Sequence, residues 1–148
     1  IVQEKNLVQK LMLKKRVGSI NIIINIILMV KINEWFSVDI SNNHTIITFG
    51  KSVTNKEFTE YMIHYANLLT IKRKIIFDLK LIENIPCKLF LEYIIFMNKM
   101  KPIHKKNMEV FYLVFDENSY IKNLVELAFK IVKPVSPYHI INNVDEII

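Results

Sequence analysis

From residue 35 onward, hydrophobic and polar positions fall into segments whose period switches between two residues and about 3.6. Trp35–Ile40 (WFSVDI) alternates apolar and polar side chains, the pattern of a half-buried strand. Ser41-Asn42-Asn43 reads as a turn, because asparagine tolerates positive φ and bonds to its own backbone. His44–Phe49 is then a second strand, so the domain is expected to open with a β-hairpin. Thr54 with Glu57 three residues later forms a capping box, and Val53 and Phe58 fit the hydrophobic staple beside it. The helix that follows is predicted over Asn55–Thr70. It carries Phe58, Met62, Ala66 and Leu69 on one side and Glu57, Glu60, His64 and Asn67 on much of the other.

Lys74–Leu79 is a short continuous apolar run, as in a parallel strand covered on both faces. A second helix is predicted over Pro86–Met100, with proline in the first turn where its missing N–H costs nothing. Met108–Phe115 reads as another buried strand. Asp116-Glu117-Asn118-Ser119 supplies caps and negative charge for a helix over Tyr120–Val132, stopped by Pro134. Tyr138–Ile141 is a last short strand, and Val144–Ile148 starts a terminal helix. The expected fold is α/β: a hairpin, then alternating helices and strands in a mixed, mostly parallel sheet with right-handed crossovers.

The 28 residues before Met29 follow a different pattern. A basic stretch, KLMLKKRVG, precedes Ile20–Val30, an apolar run broken by Asn21 and Asn25. That run is about half the roughly 20 residues a membrane-spanning helix needs, and no small-residue cleavage site follows it. Residues 1–28 are read as a leader or upstream extension, with Met29 as the expected start of a single domain over 29–148. A leader lying on a membrane surface is the alternative.

Charge sharpens this division. The net charge is +6, but residues 1–31 hold six basic and one acidic side chain, and the remainder fourteen and thirteen. A near-neutral body disfavours a nucleic-acid partner, and membrane contact is expected only through residues 1–31. Half of the residues are hydrophobic, which is globular composition. Two glycines, two alanines and two arginines, against abundant isoleucine, asparagine and lysine, point to an AT-rich genome, viral or of a reduced microbe. Cys87, the single cysteine, excludes an internal disulfide and leaves the cytoplasm as the default compartment.

The element order resembles the STAS domain, shared by sulfate transporters and anti-sigma factor antagonists. There, a buried strand ends in aspartate-leucine and leads through a loop into the helix that carries the regulatory site. Ile75-Ile76-Phe77-Asp78-Leu79 matches that strand, Leu81–Ile85 the loop and Pro86–Met100 the helix, within a likeness spanning residues 33–148. The resemblance implies a regulatory protein-binding module whose partner faces the start of this helix. The sequence departs from the pattern at Asn84-Ile85-Pro86-Cys87-Lys88, which lacks the phosphorylatable serine and its glycine, so the usual switch is not expected.

Chemistry is thinly represented. Asp78 at a parallel strand end, with Asp116 after the next strand, could hold Mg²⁺; the commoner role of such an aspartate is to cap its loop. Cys87 near a helix start would need His104 or His139 as base, in no known spacing. The histidines have no metal-ligand spacing, and no glycine-rich phosphate loop exists. No cofactor, metal or catalytic residue is assigned, and the protein is read as non-enzymatic. The apolar set of Pro86–Met100 does exceed one helix face. Some of Phe90, Tyr93, Phe96, Met97 and Met100 are expected to remain exposed unless another element covers them, marking a contact surface. The candidate partner-binding residues are therefore Asn84, Ile85, Pro86, Cys87, Lys88, Phe90, Tyr93, Phe96 and Met97, for another protein or for self-association as a dimer. The alternative is a small apolar ligand or lipid held in an interior rich in isoleucine and phenylalanine.

Overall fold

The computed structural model describes residues 29–40, 43–116 and 119–147. The leader over 1–28, most of the Ser41–Asn43 turn, Glu117-Asn118 and Ile148 lie outside these, and with them the expectation about a start at Met29. Six strands form one sheet whose spatial order is the order of the chain. Strands β1 (Met29–Lys31), β2 (Phe36–Ile40) and β3 (Thr45–Phe49) pair antiparallel. Strands β4 (Arg73–Asp78), β5 (Met108–Val114) and β6 (Tyr138–Ile141) continue from β3 in parallel. Helices α1 (Asn55–Leu68), α2 (Cys87–Asn107) and α3 (Tyr120–Ile131) make the crossovers. Right-handed connections advancing one strand at a time put all three helices on one face.

Strand alternation sorts the core accordingly. Val38, Ile47, Phe49, Ile75, Phe77, Phe111 and Leu113 point toward the helices in one large buried cluster. Ile46, Ile76 and Val114 point the other way, with Ile141 and the residues of the closing 3₁₀ turn (Val144–Glu146) and Ile147 around them. The expected terminal helix is only that single turn.

Three elements differ from the sequence reading. Strand β1 was not expected, because Met29-Val30 reads as the end of an apolar leader. It forms because Asn33 builds a tight reversal: its Oδ1 accepts the N–H of Trp35 (2.8 Å) and Phe36 (3.1 Å). Met29–Lys31 is thereby turned back onto Ser37–Asp39. Helix α2 runs seven residues past the expected end and through Pro102. Proline removes one ladder bond, but Pro102 is exposed while Met100 and His104 on the inner side are buried, and that burial carries the helix on to β5. The capping box at α1 is present as read, with Glu57 N–H to Thr54 Oγ1 at 3.2 Å and Thr54 N–H to Glu57 Oε1 at 2.9 Å. The buried stripe of α1, however, is Phe58, Tyr61, Tyr65 and Leu68, with Met62 and Ala66 only half-buried.

Candidate functional site

The inner face of α1 lies in an aromatic cluster. Trp35 contacts Phe49 and Tyr61 at centroid separations of 4.9 and 5.6 Å, and Tyr65 meets Phe77 and Phe96 at 5.9 and 6.0 Å. The Tyr65 hydroxyl is buried because it finds a partner, His104 Nε2 of α2, at 2.7 Å. Beyond this cluster a cleft of about 130 Å³ opens between α2 and α3. Phe77, Phe111 and Leu113 of the sheet form its floor; Phe90, Ile94, Met97 and Lys101 line it from α2, and Ile121, Leu124 and Ala128 from α3. It reaches Trp35, whose indole Nε1–H is buried with no hydrogen-bond partner among the described residues.

This cleft is almost uncharged. Burial pushes the Tyr61 and Tyr65 phenols well above their usual value, reinforced by Tyr93 beside them, and raises Tyr93 itself to about 12. Burial also lowers His104 to about 4, so its imidazole is neutral near pH 7. Among the described residues no aspartate or glutamate lines the cleft, and its charged side chains are Lys101 and Lys133. An apolar cavity of comparable size, about 150 Å³, stays dry and accepts a benzene-sized ligand. The arrangement is thus suited to holding an apolar group.

The sequence-derived residues distribute unevenly around it. Phe90, Tyr93 and Met97 line the cleft wall, and Ile85 lines its carboxyl-edge end. Phe96 packs on Tyr65, and Met100 is fully buried. The most exposed apolar side chains of α2 are instead Leu91 (54%) and Ile95 (58%), four residues apart on its outer side, with Ile103 also exposed further along. Asn84 bridges to Ser52, while Pro86, Cys87 and Lys88 are exposed at the helix start, where Pro86 gives no side-chain cap. Cys87 and His104 sit 17 residues apart on one helix, about 25 Å, and His139 stacks on Tyr112 from β6. No thiol–imidazole pair with His104 is possible. Asp78 Oδ1 accepts the Lys80 N–H at 3.3 Å and its Oδ2 lies 4.0 Å from the Lys80 ammonium, the loop-capping role. Asp116 is exposed, its main chain holding Ser119, the α3 cap. Among the described residues no three His, Cys, Asp or Glu side chains group as a metal site, and no helix is long and apolar enough to cross a membrane. Lys101, Leu124 and Ala128 were not singled out from the sequence, and His104 was considered only as a base for Cys87; the excess apolar width of α2 was the advance signal on that helix.

No family model and no curated protein matches this chain. Among solved structures it is similar to the crystal structure of an uncharacterized protein from the DUF3478 family with a SpoIIAA-like fold, from Shewanella loihica PV-4. The identity is 7% and the TM-score 0.53, over 75% of this chain and 87% of that one. At that identity the likeness is one of fold: the chain has the SpoIIAA-like, STAS-type architecture that its order of elements led one to expect.

Proposed function

We propose that this SpoIIAA-like domain is a non-catalytic binding module that holds an apolar ligand in the cleft between α2 and α3. The observation that carries this reading is the cleft itself: about 130 Å³, with a largely aromatic and aliphatic lining, that the domain's own side chains leave unfilled. Native cores are close-packed, and lining atoms facing a void forfeit their dispersion contacts. Each methylene transferred there from water contributes about 0.8 kcal/mol, so the affinity should rise with each carbon of an alkyl chain that the cleft encloses, less the entropic cost of association. Trp35, the single tryptophan, lines the cleft and reports on it. Titrating the full chain with decan-1-ol is expected to shift Trp35 emission saturably. An unchanged spectrum together with no co-purifying ligand in native mass spectrometry would sink the reading.

A second reading, contact with a protein partner or self-association, is favoured by Leu91 and Ile95 on the outer side of α2. The STAS resemblance supports it, since the partner edge there is the start of the same helix. With Cys87 exposed where that family has its serine, such binding would be constitutive. Because Phe90 and Phe96 pack inward, the discriminating variant is Leu91→Ser/Ile95→Ser. Loss of self-association in sedimentation, with the fold retained, supports the reading; unchanged sedimentation and partner capture count against it.

A further inference from the structure

We infer that the ligand of this cleft is a single-chain anionic amphiphile, a long-chain carboxylate taken up from solution, with its head at Lys101 and Lys133. The inference rests on the apolar-ligand reading and adds polarity to it. The cleft has two unlike ends. At the carboxyl edge of the sheet its lining is Leu79, Ile82, Ile85, Phe90 and Ile121, with the Trp35 indole N–H the polar group beside them and no charged side chain among the described residues, and Tyr120 Oη donates to Ile85 O (3.2 Å) from α3 to the lead-in of α2. At the amino edge Lys101, His104, Lys133 and Ser136 join Met108, Val132, Pro134 and Val135 in the lining. The four polar residues belong together: Ser136 Oγ donates to His104 O at 3.2 Å, tying the segment after α3 to the turn of α2 that follows Lys101.

The sign of the charge follows from the residues present. His104 is neutral near pH 7, so the two ammonium groups set the potential, and no lining carboxylate opposes them. Neither lysine has an ion-pair partner among the described residues. The carboxyl ends of α2 and α3 point to the same edge, and each presents a partial charge of about −0.5. Two full positive charges outweigh these and leave a net attraction for an anion. The enclosed space is of the order that takes one benzene-sized group, so it encloses part of one alkyl chain, the rest lying along the open side of the cleft, and it excludes a diacyl lipid. A hydroxyl or ammonium head would leave both lysines unpaired or repelled.

The test uses the full chain and three twelve-carbon probes below their micellar concentrations, dodecanoate, dodecan-1-ol and dodecyltrimethylammonium, read by Trp35 emission. Dodecanoate is expected to bind at least tenfold more tightly than the alcohol and to lose that margin in Lys101→Met/Lys133→Met, with the affinity for the alcohol unchanged. Trp35 lies beside Phe49, at the carboxyl end of β3. A bromine at carbon 12 of the bound carboxylate is therefore expected to quench it more than a bromine at carbon 2. Equal affinities for the three probes, a preference that survives the double substitution, or the reverse quenching order overturns the inference while leaving the apolar-ligand reading standing. If none of the three binds, both fall.

Discussion

Replacing Ala128 by leucine should stabilise the protein, a reversal of the usual outcome for enlarging a buried residue. Ala128 is buried on the inner side of α3 and lines the cleft. The substitution adds three carbons, worth about 2.4 kcal/mol at about 0.8 kcal/mol for each buried methylene. Fixing the leucine rotamer takes back about 0.5–1 kcal/mol, leaving a net gain of about 1.5 kcal/mol. For a chain of this size that is a rise in Tm of about 3–6 °C. If the space between α2 and α3 were already filled, the same change would overpack the core and cost about 1–3 kcal/mol. The sign therefore decides the matter. Urea unfolding followed by Trp35 emission gives the midpoint, and an unchanged m value ensures that the native state is the one affected. A midpoint lowered by the equivalent of 1 kcal/mol or more refutes the cleft. The variant should also bind decan-1-ol more weakly than the parent, since the added side chain occupies the ligand's space.

Three further outcomes follow from contacts already described. The folded value of His104, about 4, lies below its unfolded 6.5, so in that interval the unfolded chain binds more protons and stability falls as the pH drops. The loss is at most about 3 kcal/mol, and His104→Gln should remove that share of the slope in unfolding measured at successive pH values; parallel slopes would exclude it. Asn33→Ala leaves the N–H groups of Trp35 and Phe36 without their acceptor and should cost about 1–3 kcal/mol, whereas a shift under 0.5 kcal/mol in chemical unfolding means that water or rearrangement replaces it. Thr54→Ala removes half of the capping box and should cost about 1 kcal/mol, with thermal unfolding unchanged if the box contributes nothing.

What was legible in the sequence is what local patterning controls. Alternation in Trp35–Ile40, the apolar runs around Ile76 and Leu113, and the Thr54–Glu57 box each depend on near neighbours, and their elements appear within a residue or two of the expected limits. The strand at Met29–Lys31 was not legible, because its pairing is decided by one asparagine side chain four residues away. The length of α2 was missed because Pro102 is a local stop signal that burial of Met100 and His104 overrides. In the inner stripe of α1, Phe58 and Leu69 are buried as expected, but Tyr61 and Tyr65 take the deep positions given to Met62 and Ala66, for a related reason. A tyrosine is a poor core candidate until its hydroxyl has a partner, and the partner of Tyr65 is 39 residues away. The excess apolar width of α2 was readable; which part of it faces the cleft and which faces water depends on where α3 stands.

The coincidence of strand order with chain order bears on how the molecule is made. Each βα unit docks on the strand synthesised just before it, so no strand waits for a distant partner and few loops of large entropy must close. A chain emerging from the ribosome can extend its sheet one strand at a time, in the direction of synthesis. The α2–α3 space, bounded by a helix made after five of the six described strands, comes into being only once those strands are in place.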